Sequence, residues 1–146
     1  MELKVKTFAE LTTRELYEFL KLRSDVFVVE QNCIYPDLDG NDYDSIHVFY
    51  ERDDGTTAAY LRVFPKKNEE GTIQMGRVVT GDRGTGLGGK LLKEGIKAAE
   101  NILGAKEIYL EAQTYAIGFY GREGFEVTSD EFLEDGLPHV EMRRRK

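Results

Sequence analysis

Thr72-Ile73-Gln74-Met75-Gly76-Arg77-Val78-Val79-Thr80-Gly81-Asp82-Arg83-Gly84-Thr85-Gly86-Leu87-Gly88-Gly89-Lys90-Leu91 is the stretch that decides the fold. Thr72 to Thr80 reads as a strand in which Gly76 marks a bulge. From about Gly86 to Leu103 the spacing predicts a helix, with Leu87, Leu91, Ile96, Ala99 and Leu103 turned toward a core. Seven of the 15 glycines fall between Gly81 and Gly104. Glycines at a strand-to-helix turn let successive backbone N–H groups converge, and the helix N-terminus adds the positive end of its dipole. That chemistry captures a phosphate or pyrophosphate. The plain alternative is a tight turn in which Gly88 and Gly89 let the helix pack close to the sheet.

Outward from this turn the chain alternates. Downstream, Lys106 to Ala112 reads as a strand, Thr114 to Arg122 as a short helix, Phe125 to Val127 as a strand and His139 to Met142 as the last strand. Upstream, Leu3 to Phe8 alternates with period two, and Thr12 facing Glu15 makes a capping box. A helix is expected from about Thr13 to Glu30, followed by an acidic loop around Pro36 to Asp44. His47 to Glu51 and Thr57 to Phe64 form a hairpin about Asp53-Asp54-Gly55. Antiparallel strands first, then strand–helix–strand–helix–strand, predict an α/β (α+β) mixed sheet with one parallel crossover near its centre. No repeat or linker interrupts it, so residues 1–146 are expected to form a single domain.

Composition narrows the function. The chain has 146 residues, 20 Lys plus Arg against 27 Asp plus Glu, and a net charge of −7. That argues against a broad nucleic-acid binder, which needs a basic surface. One cysteine, Cys33, cannot form an internal disulfide and reads as a small packing residue. No apolar run exceeds four residues (Val26–Val29, Ala58–Leu61), too short to enter a membrane as a span. Met1 to Lys6 lacks the organisation of a secretory signal, so a cytoplasmic protein is expected. The acidic loop Asp37 to Asp44 fails the calcium-loop pattern, with Asp42 where glycine is needed and Val48 where glutamate is needed. It reads as a solvated turn able to steer a cationic amine. No metal is expected.

Three motifs overlap at the glycine turn. Gly84-x-Gly86-x-x-Gly89 fits a dinucleotide fingerprint, but such a fingerprint opens a large parallel domain and here follows four strands. Gly84-x-x-x-x-Gly89-Lys90 approaches a P-loop, yet Leu91 stands where a hydroxyl must hold magnesium. The third, Arg83-x-x-Gly86-x-Gly88, is joined downstream by Gln113-x-x-Ala116-x-x-Phe119-Tyr120-x-x-x-Gly124-Phe125. Together they resemble the two signatures of the GNAT N-acetyltransferases, with Gln113 where asparagine is usual. Leu22-Arg23-x-x-Val26-Phe27-Val28-Val29-Glu30-Gln31-x-Cys33-x-Tyr35-x-Asp37-x-Asp39, then His47, and Phe132 to Met142 resemble the ElaA-like branch of that family.

The resemblance implies a strongly bent mixed sheet of about six to seven strands flanked by helices, with splayed central strands four and five. Acetyl-CoA is then the expected co-substrate. Val78 and Val79 would offer backbone to its pantetheine. Arg83, Gly84, Thr85, Gly86, Leu87 and Gly88 would hold its pyrophosphate, with Lys90 and Gln113 adding contacts. Tyr120 stands where the family places the acid that protonates the leaving thiolate, and a phenol is protonated at neutral pH. Candidate bases are His139, Glu30, His47 and Glu111. Arg23, Phe27, His47, Arg62 and Arg77 are candidates for the acceptor site, although Arg62 and Arg77 could equally pair with acidic neighbours. The expected partners are a small-molecule or peptide amine; a homodimer is open, and neither nucleic acid nor membrane is expected. An N-acetyltransferase and a non-catalytic acyl-CoA sensor remain as readings, with an NAD-dependent oxidoreductase behind them.

Overall fold

The structure is a computed structural model that describes residues 1–146. Its strands are β1 (Glu2–Thr7), β2 (Ile46–Glu51), β3 (Thr57–Pro65), β4 (Thr72–Thr80), β5 (Glu107–Gln113), β6 (Glu126–Val127), β7 (Phe132–Glu134) and β8 (Leu137–Arg145). Helices are α1 (Thr13–Arg23), α2 (Leu87–Asn101) and α3 (Ile117–Gly121). All eight strands join one sheet in the order β1-β2-β3-β4-β5-β8-β6, with β7 paired to β8. Only β4 and β5 run parallel, the one crossover that the element order predicts. The strand beyond the expected count is β7, the short arm of a hairpin closed by Asp135 and Gly136, both at positive φ.

Local chemistry explains the elements. The Thr12–Glu15 box forms as read: Thr12 N–H donates to Glu15 Oε1 at 2.8 Å and Glu15 N–H to Thr12 Oγ1 at 3.1 Å. The long first helix does not stay regular. From Ser24 to Glu30 it widens into a π-helix, with Gln31 N–H bonded to Val26 O and Cys33 N–H to Val28 O. The run Val26-Phe27-Val28-Val29 there crowds a regular turn, because branched and aromatic side chains lose χ1 freedom against the preceding turn. Asn32 at φ 50° then ends the segment.

One face of the sheet carries a core of 22 buried residues that includes Val48, Leu61, Met75, Leu91, Ile108 and Met142. The opposite face holds a smaller cluster of Phe19, Phe49, Tyr60 and Val79. Strict alternation would send Met75 and Val79 to the same side. They face opposite sides because the β3–β4 register slips between Tyr60–Val79 and Arg62–Gly76. The bulge therefore exists, but its left-handed residue is Arg77, at φ 54°, rather than the neighbouring Gly76.

α2 lies close on the large core through Gly95. A Cβ at Gly95 would sit 2.6 Å from Leu61 Cδ2 and 3.0 Å from Met75 Cε, both on fully buried side chains. Gly89, on the same helix, has nothing within 4 Å of such a position. Helix propensity alone favours alanine over glycine by about 1 kcal/mol at both sites. Gly89→Ala should therefore raise the thermal midpoint, whereas Gly95→Ala should lower stability by about 1–3 kcal/mol through overpacking. Equal effects in a denaturant titration of the two variants would show that α2 is not held by this close approach.

Candidate functional site

β4 and β5 pair over only three positions, Thr72–Glu107, Ile73–Ile108 and Gln74–Tyr109. Beyond Gln74 the strands part, and the β4 edge from Met75 to Thr80 has no partner strand on that side. Two hollows open along this splay. One is a cavity of about 510 Å³ whose lining includes Phe27, Arg62, Arg77, Val78, Glu111, Gln113, Tyr120, Glu134 and His139. The other is a groove of about 340 Å³ lined by Thr80, the turn residues Asp82, Arg83, Gly84, Gly86, Leu87, Gly88 and Gly89, and Phe119, Arg122 and Glu123. Val78 and Tyr120 line the cavity while Thr80 and Phe119 line the groove, so the two meet along the same strand and helix.

The groove is a fit for phosphate. Gly84 and Gly86 take φ 78° and 79°, conformations that a side chain resists. Gly86 caps α2 without a side chain to occupy the first-turn N–H groups, and only Leu87 N–H has a long contact of 3.4 Å to Thr85 Oγ1. Gly88 lies under Phe119, where a Cβ would stand 3.5 Å from the ring. The open helix N-terminus and the close packing are thus divided among different glycines. Arg122, which the sequence reading does not single out, brings a second guanidinium to the groove beside Arg83. Arg83 forms an exposed ion pair with Glu30 at 2.5 Å. Lys90 and Thr85 are exposed and do not line the groove, and Lys93 is paired to Glu123 at 2.9 Å.

At the cavity, Tyr120 is 9% exposed and packs edge-on against Phe119 and Phe125, with ring centres 5.0 and 5.9 Å apart. Its hydroxyl makes no hydrogen bond within the protein, and burial pushes its pKa up, so it holds its proton. Gln113 sits opposite His139 in the β5–β8 ladder, and both line the cavity. His139 Nδ1–H donates to Leu137 O at 2.8 Å, and Nε2 lies 3.5 Å from Glu134 Oε2. Tyr109 O–H donates to Glu111 Oε2 at 2.7 Å. Cys33 is half-buried on the cavity wall, with Sγ 3.6 Å from Asp135 O.

Several sequence expectations are corrected here. Glu30 is exposed, bound to Arg83 and outside the cavity, so it cannot reach an acceptor there. His47 is fully buried between Tyr60 and Asp42, with Nε2–H donating to Asp42 O at 2.9 Å and Nδ1 accepting from the Tyr60 hydroxyl at 2.6 Å. It serves the core rather than the site. The Val79 side chain is buried in the small cluster and does not line the cavity, so only its backbone, on the unpaired edge of β4, is placed to meet a ligand. The acidic loop is exposed at Asp44, but most of its charge is not free to steer amines. Asp37, Asp39 and Asp42 are engaged by three arginines: Arg23 reaches Asp37 at 3.0 Å and Asp42 at 2.8 Å, Arg62 reaches Asp39 and Asp42 at 2.8 and 3.0 Å, and Arg77 reaches Asp37 at 2.9 Å. Arg23 is fully buried and has no access to the cavity. Arg62 and Arg77 do line it, but with their charges already paired. Burial opposes the charge on Asp39 and Asp42, yet the arginines outweigh it and hold both below the usual carboxylate range.

Residues 8–146 match the family model of the acetyltransferase (GNAT) domain. A UPF0039 protein of Schizosaccharomyces pombe is 38% identical over 146 residues, covering 98% of this chain and 96% of the relative. Protein ElaA of Escherichia coli is 35% identical over 140 residues, covering 93% of this chain and 91% of the relative. Among solved structures, an acyl-CoA N-acyltransferase from Pseudomonas aeruginosa superposes with a TM-score of 0.91 at 41% identity, covering 99% of each chain. The structure of Escherichia coli ElaA superposes with the same TM-score of 0.91 at 34% identity, again over 99% of each chain.

The geometry around His47 predicts an acid-sensitive fold. Burial is the first cause of its lowered pKa, so the unfolded chain binds the proton more readily than the folded one. Stability should be full above the ordinary histidine value near 6.5 and fall as pH drops below it. Thermal midpoints measured from pH 7 to pH 5 should show this fall in the wild type and a flatter profile in His47→Gln. A wild-type midpoint that rises on acidification would contradict the neutral, buried imidazole.

Proposed function

This chain belongs to the acetyltransferase (GNAT) family, and from that premise we propose that it transfers the acetyl group of acetyl-CoA directly to the primary amine of a small molecule or peptide. When bound, acetyl-CoA supplies the activated thioester. The glycine turn from Gly84 to Gly88, with Arg83 and Arg122, suits its pyrophosphate, and the unpaired edge of β4 at Val78 suits the amide-bearing pantetheine, which can pair as an added strand would.

Tyr120 is the observation that carries the reading. A sensor has no use for a protonated phenol, nine-tenths buried and without a hydrogen-bond partner, on the wall where groove and cavity meet. A transferase does, because the departing thiolate needs a donor within reach. Gln113, at the end of β5, is placed to orient the bound ligand by its amide. The acceptor enters from the cavity side, bounded by Phe27, Val78 and His139.

Two measurements test the proposal. Acetyl-CoA should raise the thermal midpoint, since it binds only the folded chain. Gly86→Glu should abolish that rise, because it puts strain at a φ of 79° and a negative charge into the phosphate nest. Tyr120→Phe should keep the midpoint and acetyl-CoA affinity while lowering kcat by roughly 10²–10⁴. Stabilisation by acetyl-CoA with no transfer to any amine would favour the sensor, and stabilisation by NADH alone would reject both.

A further inference from the structure

The cavity's charges do not balance. Arg23, Arg62 and Arg77 are matched by Asp37, Asp39 and Asp42, three against three. What remains facing the cavity is Glu111 from β5, Glu134 and Asp135 from the β7–β8 hairpin, and a single imidazole, His139. Glu111 and Glu134 come from different elements, yet both line this cavity, close enough together for each carboxyl to shift the other's titration. Glu111 is fixed from behind by Tyr109, whose hydroxyl also reaches Glu141 at 3.0 Å. Two further groups open onto the same space. These are the hydroxyl of Tyr120 and Nε2 of His139, on residues each 9% exposed.

Building on the acetyl-transfer reading above, we propose that Glu111 and Glu134 are a carboxyl pair that recognises the acceptor as an ammonium ion and takes its proton. The acceptor class is therefore a basic alkylamine, free or as a lysine-like side chain, with no carboxylate beside its nitrogen. An anionic group finds no unpaired guanidinium here, whereas a cation finds two carboxylates. Neighbouring carboxylates repel, and a proton shared between them relieves the repulsion, so the ionised pair is a stronger base than a lone glutamate. Partial burial, the Glu111 carboxyl and the nearby Asp135 all push Glu134 above the usual carboxylate range, while Arg77 opposes them. An incoming ammonium in turn favours the ionised pair that must receive its proton.

The step balances. An N–H bond of the ammonium breaks and an O–H bond forms on Glu134, which frees the nitrogen lone pair. That pair forms the C–N bond to the thioester carbonyl carbon, the C–S bond breaks, and sulfur takes the proton of Tyr120. The second nitrogen proton restores Tyr120, and the proton on Glu134 leaves to solvent by way of His139 Nε2, 3.5 Å away. One amine, one thioester and one released proton account for every atom.

Glu134→Gln tests the pair when it is assayed with two acceptors of different basicity. Butylamine arrives protonated, since alkylamines have pKa values near 10.4, whereas methoxyamine is already a free base at neutral pH. The variant should lose roughly 10²–10⁴ in kcat/KM for butylamine but stay within a few-fold of wild type for methoxyamine. Glu111→Gln leaves Glu134 an ordinary glutamate and should give a smaller loss with the same dependence on the amine. The wild type should also use ethylamine at least tenfold better than glycine. Equal losses for both amines would assign the pair a structural role and overturn the proposal, as would unchanged activity or a preference for glycine. Binding of acetyl-CoA without transfer by the wild type would instead overturn the acetyl-transfer reading, and this proposal with it.

Discussion

The extra residue in β4 at Arg77 is the constraint on which the rest depends. A bulge bends its strand and raises its local twist, and here β4 leaves β5 after Gln74, three residues before the bulge. The same insertion reverses the faces of Val78 and Val79, sending Val79 to the small cluster and Val78 to the cavity wall. A left-handed conformation at a residue with a side chain costs about 1–3 kcal/mol and persists only where its surroundings over-determine it. At Arg77 they do. Its guanidinium donates to Asp37 Oδ1 at 2.9 Å and to the Asp37 carbonyl at 3.2 Å, and it lies over the Tyr35 ring. Asp37 is in turn shared with the buried Arg23. The loop before β2 and the opening of the sheet are thus one structure.

That linkage explains a costly choice in the interior. Setting three arginines, two of them buried, against three aspartates gains little over apolar packing, because desolvation offsets much of the attraction. Its use is positional. Guanidinium forks fix direction as well as charge, and Arg62, reaching both Asp39 and Asp42, ties β3 to the same loop. The cavity wall on that side is rigid and electrically closed, so the field within the cavity is left to groups on the opposite wall. At the other end of the splay, helix N–H groups, Arg83 and Arg122 stand around a backbone made of glycine, while the acids there, Asp82 and Glu123, are held by Arg52 and Lys93. A net charge of −7 over the whole chain does not reveal this local grouping of helix N–H groups and arginines.

Period and punctuation carried most of the fold in the sequence. The alternation of β1, the β2–β3 hairpin, the Thr12–Glu15 box, the apolar stripe of α2 and the glycine turn all appear where their residues place them. What escaped was decided at longer range. The π-helix shares its apolar spacing with an α-helix until Gln31 N–H chooses Val26 O. β7 is three residues long, and Asp135-Gly136 reads as a surface turn rather than as the tip of a hairpin on the cavity. Asp37 to Asp42 looks like any polar loop, because nothing nearby in sequence says that Arg23, Arg62 and Arg77 converge on it from 14 to 40 residues away. Within the site, Tyr120, Gln113 and the glycines were legible through their motif, while Glu134 and Arg122 were hidden among ordinary charged surface residues.

The histidines show why residue type and spacing reach only so far. His47 and His139 are equal candidates in the sequence, each near a strand end and close to acidic residues. In the fold, β2 pairs with β3 on one side and β1 on the other, which leaves His47 between Tyr60 and the Asp42 carbonyl with both ring nitrogens used. β8 pairs with β5 beyond the point where β4 has left, so His139 faces the gap with Nε2 3.5 Å from Glu134 and outside the sheet's own bonding. The difference lies in the neighbour strand that is missing. Where the sheet is complete, a polar side chain is consumed by structure, and where β4 and β5 part, the same side chain is left available for chemistry.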